Sequence, residues 1–460
     1  MQEDEYIMGP PGTGKTTTLI NRIATLLESG TPPDRIGLIT FTKRAAEVAV
    51  ARLQDKYPGV KFPHIRTLHS MAFQEMGVGR SSIMNNYHLV AAAIHLPMRR
   101  SPMHNPKEGD RVFQAITRSR TTGVSLEQAA QEDGVDWTKV DLASRALASY
   151  KGQTGLMDFN DLLDEWDVAP DLDYLLVDEA QDLSKAQWDK VDMFDCPKII
   201  VGDDDQAIFG WAGADTNEYI KRVGKNYTVL NHSWRLPANI HGKANQLINL
   251  SSNRVNKIWN PRSPGGSYRV VDPDIPYGFN REGTYMVLVL FLYQLIVVAR
   301  RLREAGIYYE MPDGKPSVPQ GVVEAHRLWE IWRTTGKRPL DLSSKVRKYV
   351  SSWAMQELVI KNQVPKDSFL THAERITDRT RVYYSLAVRE ATKGERPRVR
   401  MSTVHRAKGD EADNVLLINP PSKRTRKMHH GTRDDLIRLL YVGMTRARET
   451  LYVTSGGELI

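Results

Sequence analysis

Apolar positions alternate between two periods near the start of the chain. Glu5–Met8 is a short strand-like run that enters a glycine-rich turn. Leu19, Ile23, Leu26 and Leu27 then recur at helical spacing. Thr31-Pro32-Pro33 breaks that helix, Ile36–Phe41 reads as a second buried strand, and Ala45–Leu53 is helical again. Strands that are apolar throughout and alternate with helices predict a parallel sheet covered on both faces.

From about 71 to 157 the chain turns polar and rich in Arg, Ser and Gln, with helical stretches such as Val140–Tyr150, which predicts an inserted helical subdomain. Sheet-like runs resume at Tyr174–Val177 and Lys198–Val201. Tyr227–Leu230 reads as the opening of a second sheet, continued by Tyr285–Leu290, Arg398–Thr403, Val415–Ile418 and Leu451–Val453. A second insertion, about 311–395, places Trp329, Trp332 and Trp353 in helix-like patterns. The uncharged run Tyr285–Ala299 is shorter than the ~20 residues a spanning helix needs and reads as a strand entering a helix.

The 460 residues, 41% hydrophobic and 26% charged, exclude a disordered chain, a collagen-like fibre and a disulfide mini-protein. The single cysteine, Cys196, allows no intrachain disulfide and fits a reducing cytoplasm. The acidic start MQEDEYIMG, with no long apolar region, does not read as a signal peptide. Net charge is +8 but uneven: Asp158–Asp205 holds 16 acids against 3 lysines, while Lys393–Arg448 holds 14 basic residues against 6 acids. Such basicity is compatible with a polyanionic partner, and equally with a solvated surface.

Gly9-Pro-Pro-Gly12-Thr13-Gly14-Lys15-Thr16 matches G-x-x-x-x-G-K-[ST] between a strand and a helix. Glycines let successive N–H groups curl toward phosphate oxygens, and the helix N-terminus adds its positive end. Lys15 is placed to reach the β- and γ-phosphates, and the Thr16 hydroxyl to hold Mg²⁺. Tyr174–Glu179 supplies the complement, an apolar strand ending in Asp178 and Glu179. Asp178 can hold Mg²⁺, and Glu179 can orient and deprotonate an attacking water. These two segments predict Mg²⁺-dependent nucleoside triphosphate hydrolysis and exclude neither a kinase nor a transporter.

Seven further segments narrow the class. They are Thr40-Phe41-Thr42-Lys-Arg-Ala-Ala, Arg66-Thr67-Leu-His69-Ser, Val177-Asp-Glu-Ala-Gln181-Asp182, Val201 through Asp205-Gln206-Ala-Ile-Phe209-Gly-Trp211-Ala-Gly-Ala, Asn231-His-Ser-Trp234-Arg235-Leu-Pro, Ser402-Thr-Val-His405-Arg-Ala-Lys-Gly409-Asp-Glu411, and Leu440-Tyr441-Val-Gly-Met-Thr445-Arg446-Ala. In this order the chain resembles the superfamily 1 helicases of the UvrD/Rep/PcrA type.

The resemblance implies an α/β fold of two RecA-like parallel-sheet domains, each with a mainly helical insertion: 1–228 with the insertion at about 71–157, and 229–460 with a shortened one at about 311–395. It implies one ATP with Mg²⁺ held between the lobes by Gly12, Thr13, Gly14, Lys15 and Thr16. Gln206 senses the γ-phosphate, and Arg235 and Arg446 reach it from the second lobe as arginine fingers, a role suited to an always-charged, forked guanidinium. Trp234 takes the adenine-stacking place and Glu411 the ribose. Phe41, Phe209 and Trp211 match base-contacting aromatics, and Thr42, His69 and His405 match backbone-contacting polar residues. The basic loop Lys423–Lys427 could add phosphate contacts or simply be solvated, and His429-His430 reads as surface.

Departures from the family pattern carry expectations of their own. Only eight residues precede Gly9, so Gln2 is too close to serve as the family's upstream glutamine, which implies a truncated start. Leu290-Phe291-Leu292 stands where relatives carry polar DNA contacts. The chain stops soon after the last motif, so no appended nuclease is expected. The resulting expectation is an ATP-dependent helicase or translocase on single-stranded DNA and single-strand/duplex junctions, moving 3′ to 5′, in the cytoplasm of a bacterium or a virus's host, with replication or repair partners not identified. The shortened insertion keeps open a DNA-stimulated ATPase that translocates or strips proteins without unwinding. A catalytically silent nucleic-acid-binding subunit is the third reading.

Overall fold

The computed structural model describes residues 4–84, 87–99, 106–272, 282–336, 370, 377–419 and 432–454. Gln2, Trp353, the basic loop Lys423–Lys427 and His429-His430 lie outside them. By compactness the chain divides into two units, Met1–Pro264 with His429–Tyr441, and Gly265–Met428 with Val442–Ile460.

The first unit is built on a six-stranded sheet of β1 (Glu5–Met8), β2 (Ile36–Ile39), β3 (Ile65–Arg66), β4 (Tyr174–Val177), β5 (Lys198–Gly202) and β6 (Thr228–Val229), in the order β3-β2-β4-β5-β1-β6. Every pairing is parallel, with Met8 opposite Gly202 and Ile39 opposite Val177. One face packs Ile7, Leu38, Leu176 and Val201 against Leu19, Ile23, Ala49 and Leu53 of α1 (Lys15–Glu28) and α2 (Lys43–Lys56). The other packs Val177 and Ile200 with Leu68 and Met71 of α3 (Leu68–Glu75), and with Trp166, Trp188 and Tyr219. Strands buried on both sides explain the unbroken apolar runs. Tyr227–Leu230 does not open a second sheet, as its sequence had been read: β6 edges the first sheet beside β1, and Leu230 N–H donates to Met8 O at 2.9 Å.

The polar stretch after α3 is helical, with α4 (His88–Ala93), α5 (Glu108–Thr122), α6 (Leu126–Glu132) and α7 (Trp137–Thr154) closing a core of their own around Val112, Phe113, Ala129 and Val140. α8 (Phe159–Asp164) returns the chain to the sheet. Much of the acidic run beginning at Asp158 is internally paired. Lys151 Nζ lies 2.6 Å from both Asp158 and Asp161, and Arg120 reaches Asp158, Asp161 and Asp164.

The second unit holds an all-parallel sheet of β7 (Ser267–Val271), β8 (Tyr285–Val289), β9 (Tyr309–Glu310), β10 (Val399–Thr403), β11 (Ala412–Ile418) and β12 (Ala447–Thr454), ordered β7-β12-β11-β8-β10-β9. The run at Tyr285 is a strand entering a helix, Leu292–Glu304, as expected. Among the described residues no helix is long and apolar enough to cross a membrane.

Candidate nucleotide and nucleic-acid site

In a parallel sheet all strand C-termini lie along one edge, where ligands bind. In the first unit that edge collects nearly every candidate. β1 leads into the phosphate loop, β2 into Thr40–Thr42, β3 into Thr67–His69, β4 into Asp178-Glu179, β5 into Asp203–Gln206 and β6 into Asn231–Arg235.

The phosphate loop is tied down from several sides. Gly9 N–H donates to Gly202 O at 2.8 Å, and the Thr13 hydroxyl donates to Pro10 O at 2.8 Å. Gly12 and Gly14 take φ of 73° and 87°, the left-handed region that glycine enters without penalty. A Cβ on Gly9 would lie 2.2 Å from Lys15 Cγ, so the lysine stem uses the space that glycine leaves. Lys15 Nζ donates to Gly9 O at 3.0 Å and lies 3.5 Å from Glu179 Oε1.

Thr16 and Asp178 meet, the hydroxyl donating to Oδ2 at 3.2 Å. A hydroxyl and a carboxylate side by side form a hard-oxygen pair that fits Mg²⁺, which takes few protein ligands beside phosphates and waters. Burial first, and Glu179 second, push Asp178 up to about 6, against the pull of Lys15. A cation there would reverse that pressure. Glu179 has φ 54° and ψ 41°, left-handed for a non-glycine residue. Gln181 holds its carboxylate, with Nε2 2.6 Å from Glu179 Oε2, while Oε1 accepts from Asp203 N–H at 2.8 Å. Gln206 Nε2 in turn donates to Asp203 Oδ2 at 2.6 Å. A continuous polar chain thus runs from Lys15 through Glu179, Gln181 and Asp203 to Gln206. Gln181 was quoted in the Val177–Asp182 motif but given no role from sequence, although its place two residues after Glu179 was the available signal.

Trp234 and Arg235 lie on the phosphate loop and in the first compact unit, whereas the sequence reading assigned them to the second lobe. Trp234 N–H donates to Gly12 O at 2.8 Å, and the buried Ser233 hydroxyl donates to Pro11 O at 2.8 Å. Ser233 Oγ also accepts from Arg235 and Leu236 N–H, at 3.2 and 3.1 Å. A Cβ on Gly12 would meet Arg235 Cβ at 2.4 Å. The Trp234 indole is 69% exposed beside this loop, with His232 edge-on at 4.7 Å, so its face is open to a flat ligand.

The aromatic candidates also converge. Phe41 and Phe209 stack at 4.8 Å between ring centroids, and Trp211, 55% exposed, lies 6.3 Å from Phe209. Thr42 caps α2, accepting from Ala45 N–H at 3.1 Å. His69, near the start of α3, meets the exposed ring of Phe159 edge-on at 6.0 Å, a contact the sequence reading missed. Burial lowers His69 to about 4, so its ring is neutral at pH 7.

In the second unit His405 follows the C-terminal end of β10, while Glu411 and Arg446 precede β11 and β12 at the other end of the sheet. Arg446 O accepts from Ala412 N–H at 3.1 Å. The Arg446 side chain is buried, with Nε donating to Val442 O at 2.8 Å and Nη2 to Thr445 Oγ1 at 3.1 Å. Glu411 is exposed and pairs with Arg448 at 3.0 Å.

A sequence model of the UvrD/REP helicase N-terminal domain matches residues 1–227, and one of the UvrD-like helicase C-terminal domain matches 398–454. The chain is 27% identical over 293 residues to the ATP-dependent DNA helicases PcrA of Staphylococcus aureus and Staphylococcus epidermidis, covering 56% of this chain and 40% of each relative. It therefore spans well under half the length of the curated relatives it matches. The solved structure of the PRRSV helicase aligns over 98% of this chain and 52% of its own, with a TM-score of 0.37 and 12% identity. With one model matching the phosphate-loop end and the other the Thr445-Arg446 end, the chain belongs to the UvrD/REP helicase family.

Proposed function

We propose that the protein is an ATP-dependent DNA helicase or translocase that binds single-stranded DNA and uses ATP with Mg²⁺. The observation that carries this reading is the polar chain at one sheet edge, in which Lys15, Glu179 and Gln206 are tied together and Thr16 and Asp178 pair beside them. Thr16 and Asp178 would hold the Mg²⁺, which supplies charge neutralisation on the phosphates. Lys15 and the loop N–H groups bind the triphosphate, and Glu179 takes the proton of the attacking water. Trp234 stacks on adenine, Arg235 and Arg446 meet the γ-phosphate, and Glu411 meets the ribose. Phe41, Phe209 and Trp211 form the base platform, with Thr42, His69 and His405 on the DNA backbone. The functional division keeps 1–228 and 229–460 as the segments carrying the two lobes' motifs, with Trp234 and Arg235 seated on the phosphate loop; movement is 3′ to 5′, and a cytoplasmic, nucleoid-associated place goes with this reading.

Gln206 and Trp211 are five residues apart on one segment, so a change at the γ-phosphate has a short path to the base platform. The shortened second insertion favours a variant reading, a DNA-stimulated ATPase that translocates without opening duplex. A catalytically silent subunit is disfavoured by the complete acid, lysine and glutamine set. ATP turnover measured with and without single-stranded DNA tests the reading. DNA stimulation supports it, and absence of turnover rejects it. A 3′-tailed duplex beside a single-strand translocation assay separates unwinding from movement alone.

A further inference from the structure

Behind Gln206, and joined to the polar chain at Asp203, lies an ionic cluster. Asp203, Asp204 and Asp205 follow β5 in succession, and all three are fully buried. Lys257, whose side chain is also fully buried, contacts each of them, at 3.3 Å from Asp203, 3.1 Å from Asp205 and in a short hydrogen bond to Asp204. Arg254 forks onto Asp205 at 2.9 and 2.7 Å, and Val255 N–H donates to Asp204 Oδ2 at 2.8 Å. The clip is fastened at its other end too. Asp434 accepts from Ser252 and Asn253 N–H, and Arg438 donates to Asn253 O.

Three adjacent carboxylates withdrawn from water repel one another and need compensating cations. Burial leads in pushing Asp204 up to about 6, and Lys257 is the strongest opposing influence. At Asp205 the same burial is outweighed by Lys257 and Arg254, which hold it below the ordinary carboxylate value. The Asp203 carboxylate that Lys257 neutralises is the one that accepts from Gln206 Nε2 at 2.6 Å. Its backbone N–H is bound to Gln181, which holds Glu179.

We propose that Lys257 is a positioning residue for ATP turnover: its ammonium keeps the Asp203–Asp205 turn collapsed, and through Asp203 it fixes the amide of Gln206 against the phosphate site. The proposal rests on the reading of this site as an ATPase. Among the described residues Lys257 meets the polar chain of the site at Asp203, and it acts through that carboxylate.

The test is a double-mutant cycle on DNA-stimulated ATP turnover in the full chain. Turnover by the wild type is measured first, and its absence would fail the functional reading rather than this proposal. Given wild-type turnover, Lys257→Met is expected to lower kcat by roughly 10- to 100-fold, as loosened positioning does, with KM for ATP within about twofold. In a Gln206→Ala background the same change is expected to cost less than about twofold, because residues acting through one another are not additive. Lys257→Met combined with Asp204→Asn restores the cluster's charge balance and is expected to recover part of kcat. Should Lys257→Met not fold, the cycle is run with that double variant in its place. Equal losses in both backgrounds, unchanged kcat, or failure of both variants to fold would assign Lys257 to structure alone and overturn the proposal.

Discussion

Ser233 is the rivet between the phosphate loop and the Trp234-Arg235 segment. Its hydroxyl is fully buried, donates to Pro11 O and accepts from two backbone N–H groups. Ser233→Ala takes away the hydroxyl that joins Pro11 O to the Arg235 and Leu236 N–H groups, in a seat that is buried to half-buried. A net hydrogen bond contributes about 0.5–1.5 kcal/mol, and an orphaned buried group costs about 1–3 kcal/mol. With partial relaxation the expected loss is roughly 2 kcal/mol. Tryptophan fluorescence during urea unfolding reads it: at a slope of about 3 kcal/mol per molar, the midpoint of the first unit's transition falls by about 0.7 M. Because the Trp234 N–H bond to Gly12 O survives, the segment loosens rather than leaves, and KM for ATP rises. Gly12→Ala attacks the same joint sterically and should raise KM further, since its Cβ would overlap both Arg235 Cβ and Ser233 Oγ. A Ser233→Ala midpoint within roughly 0.2 M of wild type, with unchanged KM, would refute the docking argument.

Other outcomes follow from the same geometry. Glu179→Gln keeps the size and one acceptor but removes the base, so ATP turnover should fall by about 10²–10⁴-fold while a nucleotide analogue still binds, as equilibrium titration would show. Trp211→Ala removes an exposed stacking surface and should weaken single-stranded DNA binding by about 1–3 kcal/mol; fluorescence anisotropy with a short oligonucleotide measures it, and equal affinity would remove Trp211 from the platform. His69 is held neutral by burial, from an ordinary value near 6.5 down to about 4. Its depressed folded value means that the unfolded chain binds the proton more readily. Stability should therefore decline as pH falls from 6.5 to 4, by about 3 kcal/mol, and in His69→Gln that share of the acid sensitivity should vanish in pH-dependent unfolding.

Legibility from sequence followed how local the determining physics is. The phosphate loop and Asp178-Glu179 each directly follow a short, mostly apolar strand, so period and spacing were enough there, whereas Gln206, three aspartates beyond β5, was legible only through the family resemblance. β6 was misassigned because a two-residue strand has no period of its own, and its sheet is decided by pairing with Met8, more than 200 positions earlier. Trp234-Arg235 was found as a motif, but its seat on Gly12 depends on Ser233, whose hydroxyl looks like any other. Lys257 gave no signal at all. A lysine in a polar stretch reads as solvated, and only the fold shows it enclosed by three carboxylates. The same blindness explains the acidic run, where Asp158, Asp161, Asp204 and Asp205 answer half-buried or buried cations, Lys151, Arg254 and Lys257, rather than solvent alone.

The left-handed backbone of Glu179 sets selection for activity against selection for robustness. A non-glycine side chain in that conformation costs on the order of 1–2 kcal/mol, which glycine escapes and asparagine largely avoids. A library screened for heat tolerance alone would drift toward those two amino acids at position 179 and enrich sturdier, inert molecules. On the proposed role of Glu179 as the base, only a demand for turnover would hold a glutamate in so uncomfortable a place.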